Sequence, residues 1–260
     1  MDVSLIIPIY NAEKFLRQSL GEIDVALQAR PEHWELVLIL DGSTDSSENI
    51  CREFAAAAHP YSVEIIALEK NIGKGGAVQK GMAQAKGRYR IFNDCDLAYP
   101  MSQVFNILQA LQDGAPVAVA SRSLPDSRYI FAPKNFRYLY TRHVASRVLN
   151  FVIQKIFIPT VKDTQAGLKG FQGGVADFIF EQMKLQGFSF DLELLHIAYR
   201  AGIPVKEVAV DFYAQRVSTV NFPVEVFRMV RDLFCIFLWT AQGKYNFSWS
   251  GTEVPQVRAS

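Results

Sequence analysis

The sequence predicts an α/β fold on a doubly wound, mostly parallel sheet, and three observations lead there. Short apolar runs alternate with helical patterns through the first half of the chain. Strands joined by helices pair in parallel through right-handed crossovers, which favours an open sheet covered on both faces. Each run is also followed by a polar stretch, which such a topology gathers at one sheet edge. The predicted strands are "VSLIIPI" (3–9), "WELVLIL" (34–40), "VEIIAL" (63–68), "YRIFN" (89–93) and "PVAVAS" (116–121), short and rich in Val, Ile and Leu as buried parallel strands are. Helical spacing of apolar residues fills 12–29, 44–58, 74–86 and 101–112.

The second half is organised differently. Residues 136–158 carry a long apolar helix pattern in which His143, Ser146, Arg147, Asn150 and Gln154 share one stripe. "VKDTQAGLKGF" (161–171) breaks it; helices near 174–185 and 191–201, a strand at 205–212 and an amphipathic helix from Pro223 are expected after it. Residues 128–169 hold eight lysines and arginines against one acid, Asp163, a local charge of +7 in a chain whose net charge is +1. That near-neutral total excludes a global pull toward nucleic acid. A basic segment around an apolar helix fits an anionic membrane surface or a lipid phosphate, and fits equally a core helix with solvated flanks. Three widely spaced cysteines without a C-x-x-C pair exclude a disulfide framework and a zinc site, and predict a reducing compartment. "MDVSLIIPIY" has an acid and a proline where a signal peptide needs an apolar core, so none is expected. No apolar run reaches the roughly 18 residues of a spanning helix.

The polar stretches at the predicted edge are "DGSTD" (41–45), "KNIGKGG" (70–76), "DCDLA" (94–98) and "SRSLPDS" (121–127). On an extended chain Asp94 and Asp96 point the same way while Cys95 faces inward. Adjacent carboxylates at an open strand end repel each other unless a cation lies between them, and a hard ion such as Mg²⁺ or Mn²⁺ suits the role. The alternative is that Asp96 caps the following helix. "NIGKGGAVQKG" (71–81) fails as a P-loop, having Leu68 and Gly75 where Gly and Ser or Thr belong. It fails as a dinucleotide fingerprint because Val78 stands where a small residue is required. What remains is a turn before a helix N-terminus with Lys74 beside it, either a seat for a diphosphate or simply a tight turn. Asp41 is read as a ligand contact and Asp45 as a helix cap.

Together "IIPIYN" (6–11), "DGSTD" (41–45), "NIGKGGAVQKGMAQAKG" (71–87), "FNDCDLAYP" (92–100), "SR" (121–122), "DTQAGLKGF" (163–171) and "FSFDLELLHIA" (188–198) closely resemble the family 2 glycosyltransferases, and among them the dolichyl-phosphate or polyprenyl-phosphate β-glucosyltransferases. The resemblance implies the GT-A fold, a Rossmann-like mixed sheet with C-terminal amphipathic helices. It implies a transferase domain over 1–220, with a nucleotide-sugar half to 125 and an acceptor half after it, then a helix over 221–245 and a tail over 246–260. It implies a UDP-glucose donor, with Pro8, Tyr10, Asp41, Gly73, Lys74 and Asp94 around the nucleotide sugar. Asp94 and Asp96 would hold Mg²⁺ or Mn²⁺, and Asp96, Arg122 and Asp163 would carry the chemistry. Gln165, Glu193 and Arg216 would face the sugar and a polyprenyl-phosphate acceptor. A peripheral enzyme on the cytoplasmic face of a membrane is expected, docked through 136–158 and 223–241. Two departures stand out: Ala12, followed by Glu13, where related mannosyltransferases have Glu, and "RVSTV" (216–220), where Arg216 replaces a lysine.

Overall fold

The computed structural model describes residues 1–131, 158–214, 222–246 and 249. The five expected strands form as β1 (Val3–Ile9), β2 (Trp34–Asp41), β3 (Ser62–Leu68), β4 (Tyr89–Phe92) and β5 (Val117–Ser121). Between them run α1 (Glu13–Gln28), α2 (Ser47–Ala55), α3 (Lys74–Gln84) and α4 (Met101–Gln112). Every residue of β1 and β2 is buried, which is why both read as unbroken apolar runs. Each such side chain taken from water stabilises the fold by roughly 1.5–3 kcal/mol.

Beyond β5 the chain forms β6 (Arg128–Phe131), β7 (Lys169–Gln172), α5 (Gly173–Gln182), α6 (Phe190–Arg200), β8 (Val205–Ala209), β9 (Asp211–Ala214) and α7 (Phe222–Ala241). The main sheet has seven strands in the order β3-β2-β1-β4-β7-β5-β8. Its pairings are parallel except those of β7, which runs antiparallel to both β4 and β5. The sheet is therefore mixed, because β7 fills the gap between β4 and β5. One apolar core lies beneath α1, α2 and α4, and the other gathers α3, α5 and α6 on the opposite face.

The expected strand over 205–212 is corrected to two. Val210 donates to Ser127 Oγ at 3.1 Å and accepts from Arg128 N at 3.0 Å, so the chain leaves the main sheet there. It continues as β9, paired in parallel with β6 in a separate ribbon. Residues 136–157 of the expected helix, Arg216 and most of the tail lie outside the described residues.

Candidate active site

The strand order reverses direction between β1 and β4: the chain winds outward through β2 and β3, then returns to β4. Ligands of open α/β sheets bind at the carboxyl ends of the strands beside such a switch. The β1–β4 ladder stops at Ile6 and Phe92, with Asn93 N closing it onto Ile6 O at 3.1 Å. Pro8, two residues on, points its missing donor to that same side, where β4 has left and no ladder bond is lost. Beyond it Tyr10 is half exposed at the crevice mouth.

The loops after β1 and β2 are stitched together by reciprocal bonds. Glu13 N donates to Asp45 Oδ2 and Ser46 N donates to Glu13 Oε2, both at 3.0 Å, so each acid serves the helix start of the other. Thr44 N donates to Asn11 Oδ1 at 2.8 Å, with Asn11 in the left-handed region at φ 48°. Glu13 is thus tied to backbone. Asp45 was expected to cap α2, but the N-cap is Ser46; Asp45, one residue before it, accepts from Ser47 N at 3.0 Å.

Asp41, 3% exposed, accepts from Ile72 N at 2.7 Å and Gly73 N at 3.1 Å. Burial pushes its carboxyl above the usual range against the pull of those two amides. Asp41 therefore holds the turn that leads into α3. The glycines of that turn answer to protein packing: a Cβ on Gly75 would lie 2.6 Å from Phe190 Cβ and 2.9 Å from Leu185 O, and Gly73 sits at φ +91°. Gly76 N donates to Gln186 O at 3.1 Å. With these amides spent inside the protein, the cation that the turn offers an anion is Lys74.

Lys74 Nζ lies 2.5 Å from Asp94 Oδ1. Burial would drain its charge, but Asp94 and Asp191 outweigh that and hold the ammonium above the ordinary lysine range. Asp94 and Asp96 are not presented by a strand as expected. Leu97 N donates to Asp94 O at 3.1 Å, with Leu97 left-handed at φ 51°, so a tight turn carries the pair. Asp96 does not cap α4, whose N-cap is Pro100; Asp96 accepts instead from Ala98 N at 3.0 Å. A Cβ on Gly167 would overlap the Asp94 carboxylate, so glycine leaves that carboxylate its room. Burial raises the Cys95 thiol far above its usual range, which leaves two hard oxygen donors in the turn. Among the described residues no cluster of three or more His, Cys, Asp or Glu forms a complete cage. Two carboxylates without a cage fit an ion that completes its shell with water and substrate phosphate, as Mg²⁺ does.

Arg122 and Asp163 form a two-pronged pair, Nε to Oδ2 at 2.7 Å and Nη2 to Oδ1 at 2.9 Å, and Arg122 N adds a third bond to Oδ2 at 2.9 Å. Burial raises Asp163, yet the Arg122 guanidinium outweighs it and holds the carboxyl below its usual range. Gln165 follows Asp163 on the same loop and donates from Nε2 to Met229 Sδ at 3.2 Å, bringing α7 beside it.

Glu193 is corrected. It was expected to face the sugar and the acceptor, but Glu193 is fully buried. It accepts from Lys184 N at 3.0 Å, Leu185 N at 2.6 Å and Tyr245 OH at 2.6 Å. It thereby secures the 183–187 turn against which Gly73 and Gly75 pack. The other acid of α6, Asp191, is also buried and lies 2.5 Å from the fully buried Lys169. The residue-by-residue reading missed this pair. The signal was a lysine inside the otherwise apolar "GLKGF" and an aspartate between Phe190 and Leu192.

With this geometry in view, the likenesses to known proteins are informative. The profile of glycosyl transferase family 2 matches residues 4–172. The dolichyl-phosphate beta-glucosyltransferase of Drosophila melanogaster is 28% identical over 259 residues, covering 95% of this chain and 78% of that protein. The Homo sapiens protein of the same name is 29% identical over 223 residues, covering 81% and 67%. Glucosyl-3-phosphoglycerate synthase from Mycobacterium tuberculosis, solved with Mn²⁺ and UDP-glucose, superposes with a TM-score of 0.62 at 15% identity, over 96% of this chain and 81% of that one. S. aureus TarS 1–349 in complex with UDP-GlcNAc gives 0.54 at 18% identity, over 85% of this chain and 60% of that one. At these identities the structural likenesses speak to fold.

Proposed function

The chain belongs to glycosyl transferase family 2, and from that premise we propose that it transfers glucose from UDP-glucose to a polyprenyl phosphate such as dolichyl phosphate, with inversion and with Mg²⁺ or Mn²⁺ bound. It is a glycosyltransferase with the GT-A fold. What supports the finer reading is the Lys74–Asp94 pair, with Asp96 in the same turn after β4, and the Arg122–Asp163 pair after β5, at the carboxyl ends of two strands that run the same way. The relatives' names, dolichyl-phosphate beta-glucosyltransferase in fly and human, support the sugar and the acceptor. The Mn²⁺ and UDP-glucose bound by the structural neighbour support the donor and the ion.

Inverting displacement puts negative charge on the departing diphosphate. Lys74, fully charged in its pocket, meets that charge, a contribution of several kcal/mol in a site shielded from water. Asp94 and Asp96 would hold the divalent ion, which acts as a Lewis acid on the diphosphate. A phosphomonoester has its second pKa near 6, so the acceptor is largely ionised at neutral pH and needs orientation more than deprotonation. Asp163, clamped by Arg122 and held acidic, suits a positioning group and not a base. Among the described residues Arg122 Nη1 makes no bond, so it can serve a phosphate oxygen, and we read Gln165 as facing the acceptor.

The lipid tail calls for a surface, and α7 offers one. Phe227, Val230, Phe234, Phe237 and Leu238 are exposed along its outer side, with Phe227 75% exposed, and Arg231 lies among them. Among the described residues no helix is long and apolar enough to cross a membrane. We read α7 as lying in the interface plane on the cytoplasmic face, its Met229 touching Gln165 and its aromatics in lipid.

The test incubates purified protein with Mn²⁺ or Mg²⁺, a polyprenyl phosphate and a panel of sugar nucleotides, with Asp96→Ala as control. Nucleotide release and sugar in the lipid phase are both followed. Lipid-linked glucose from UDP-glucose alone, absent in the control, is the expected result. Donor hydrolysis without lipid product would overturn the acceptor, and lipid-linked product from another donor would overturn the sugar.

A further inference from the structure

Among the described residues four buried side chains hold a polar atom without a hydrogen-bond partner: Trp34 Nε1, Tyr99 OH, Ser121 Oγ and Gln172 Oε1. A buried polar atom left unpaired costs stability, so each of them asks for a reason. Trp34 opens β2 and Gln172 pairs with Tyr89 at the start of β4, so both stand at the sheet end away from the crevice. Ser121 ends β5 in line with Val117 and Val119, which face the core of α3, α5 and α6. Tyr99 meets the Arg122–Asp163 pair, and it does so through Phe212. It follows the turn that carries Asp94 and Asp96, is buried, and packs its ring on that of Phe212 with centroids 5.0 Å apart. Arg122 Cζ lies over the same Phe212 ring at 5.3 Å. The backbone holds this cluster in place: Asn93 Nδ2 donates to Tyr99 O and Tyr213 N donates to Ala98 O, each at 2.8 Å. Burial pushes the Tyr99 phenol far above its usual range, against the pull of the Arg122 guanidinium, so the hydroxyl stays a donor.

A buried donor that nothing in the described protein accepts, close to a guanidinium whose Nη1 is unbonded, suits an anion. The surface around the cluster says which anion. Phe212 packs also on Tyr129, with centroids 4.9 Å apart, and Tyr129 and Ile130 are exposed on the neighbouring strand β6. Apolar surface therefore leads from the phenol out to solvent, which suits a phosphate that carries a prenyl chain better than it suits a nucleotide. We propose that Tyr99 is a second donor to the acceptor phosphate: its hydroxyl and Arg122 Nη1 bind phosphate oxygens while the first isoprene units lie on Tyr129 and Ile130. The hydroxyl is covered, and the phosphate reaches it by drawing the guanidinium across the Phe212 ring, a contact weak enough to slide. A hydrogen bond to a charged oxygen is the stronger kind, and a donor kept unpaired until then gives its whole gain to binding. This rests on the acceptor reading given above.

The test sets Tyr99→Phe against wild type. Calorimetry measures the binding of a short-chain, soluble polyprenyl phosphate and of UDP, with Mn²⁺ present throughout. Tyr99→Phe is expected to weaken the polyprenyl phosphate by about tenfold, the size of one lost bond to a charged group, and to change UDP by about twofold or less. In turnover the acceptor KM should rise by a similar factor while the donor KM holds. The thermal midpoint of the variant without ligands should equal or exceed that of wild type, because the hydroxyl removed had no partner. A lower midpoint would show that the hydroxyl is already paired, and overturns the proposal. Unchanged affinity for the polyprenyl phosphate overturns it too and leaves the transferase reading intact. A loss confined to UDP gives the hydroxyl to the donor and overturns it as well. Wild type that binds UDP but neither binds nor glycosylates the polyprenyl phosphate overturns the acceptor reading itself, and this proposal with it.

Discussion

At Asp163 a carboxylate 4% exposed accepts three bonds from Arg122, whose guanidinium remains partly open to the crevice. Its folded pKa lies below that of the unfolded chain, about 3.9. The stability it contributes is therefore complete above that value and is lost as pH falls through the folded one. Asp163→Asn leaves Arg122 without its counter-charge and is expected to cost about 3 kcal/mol at pH 7. Urea midpoints taken along a pH series should show that difference constant above about pH 4 and shrinking below it; a constant gap down to pH 3 would contradict the assignment. Asp96 behaves otherwise: its Oδ1 accepts from Ala98 N within its own turn, a bond that the amide oxygen of an asparagine can also accept. Asp96→Asn is expected to keep the melting temperature and to lower kcat by about 100-fold or more. Equal turnover by the variant would remove Asp96 from the metal site.

One scale up, the N-terminus of α3 owes its position to α6 and to the turn before it. Gly75 has no room for a side chain against Phe190 and Leu185, so Gly75→Ala is expected to cost about 1–3 kcal/mol through overpacking. Because Lys74 precedes it, the same change should raise the donor KM more than it lowers kcat, read from initial rates across donor concentrations. Glu193 reaches the same place from below. Glu193→Ala strands the amides of Lys184 and Leu185, at about 1–3 kcal/mol for each buried amide left unpaired. Loss of stability with an unaltered acceptor KM is expected from thermal melts and kinetics; an acceptor KM that rises while stability holds would return Glu193 to the substrate.

For the whole molecule, the exposed aromatics of α7 sit on the helix whose inner side reaches the Gln165 loop. A phenylalanine moved from water into lipid gains roughly 1.5–3 kcal/mol. Phe234→Glu with Phe237→Glu is thus expected to lower sedimentation with anionic vesicles by about tenfold or more, while turnover of a short-chain, soluble polyprenyl phosphate persists. Unchanged vesicle binding would move the docking surface elsewhere.

The sequence by itself determined the layered α/β fold and the edge where its polar loops gather, because strands buried on both faces must be apolar throughout and so announce themselves. It also determined the carboxylate pair and Lys74, whose residue types carry their chemistry wherever the chain puts them. Tertiary structure alone decided the rest. β7 has four residues, among them Lys169 and Gly170, and becomes a strand because β4 and β5 leave a gap that it fills. Residues 205–212 divide at Val210 because partners more than eighty positions away draw its backbone out of the sheet. Asp191 and Glu193 stand two apart on a helix buried throughout Phe190–Ala198, where no periodicity tells the acid that pairs with Lys169 from the one that ties a turn. Only packing from distant segments separates them, and it sends Asp191 to Lys169 and Glu193 to the 184–185 backbone.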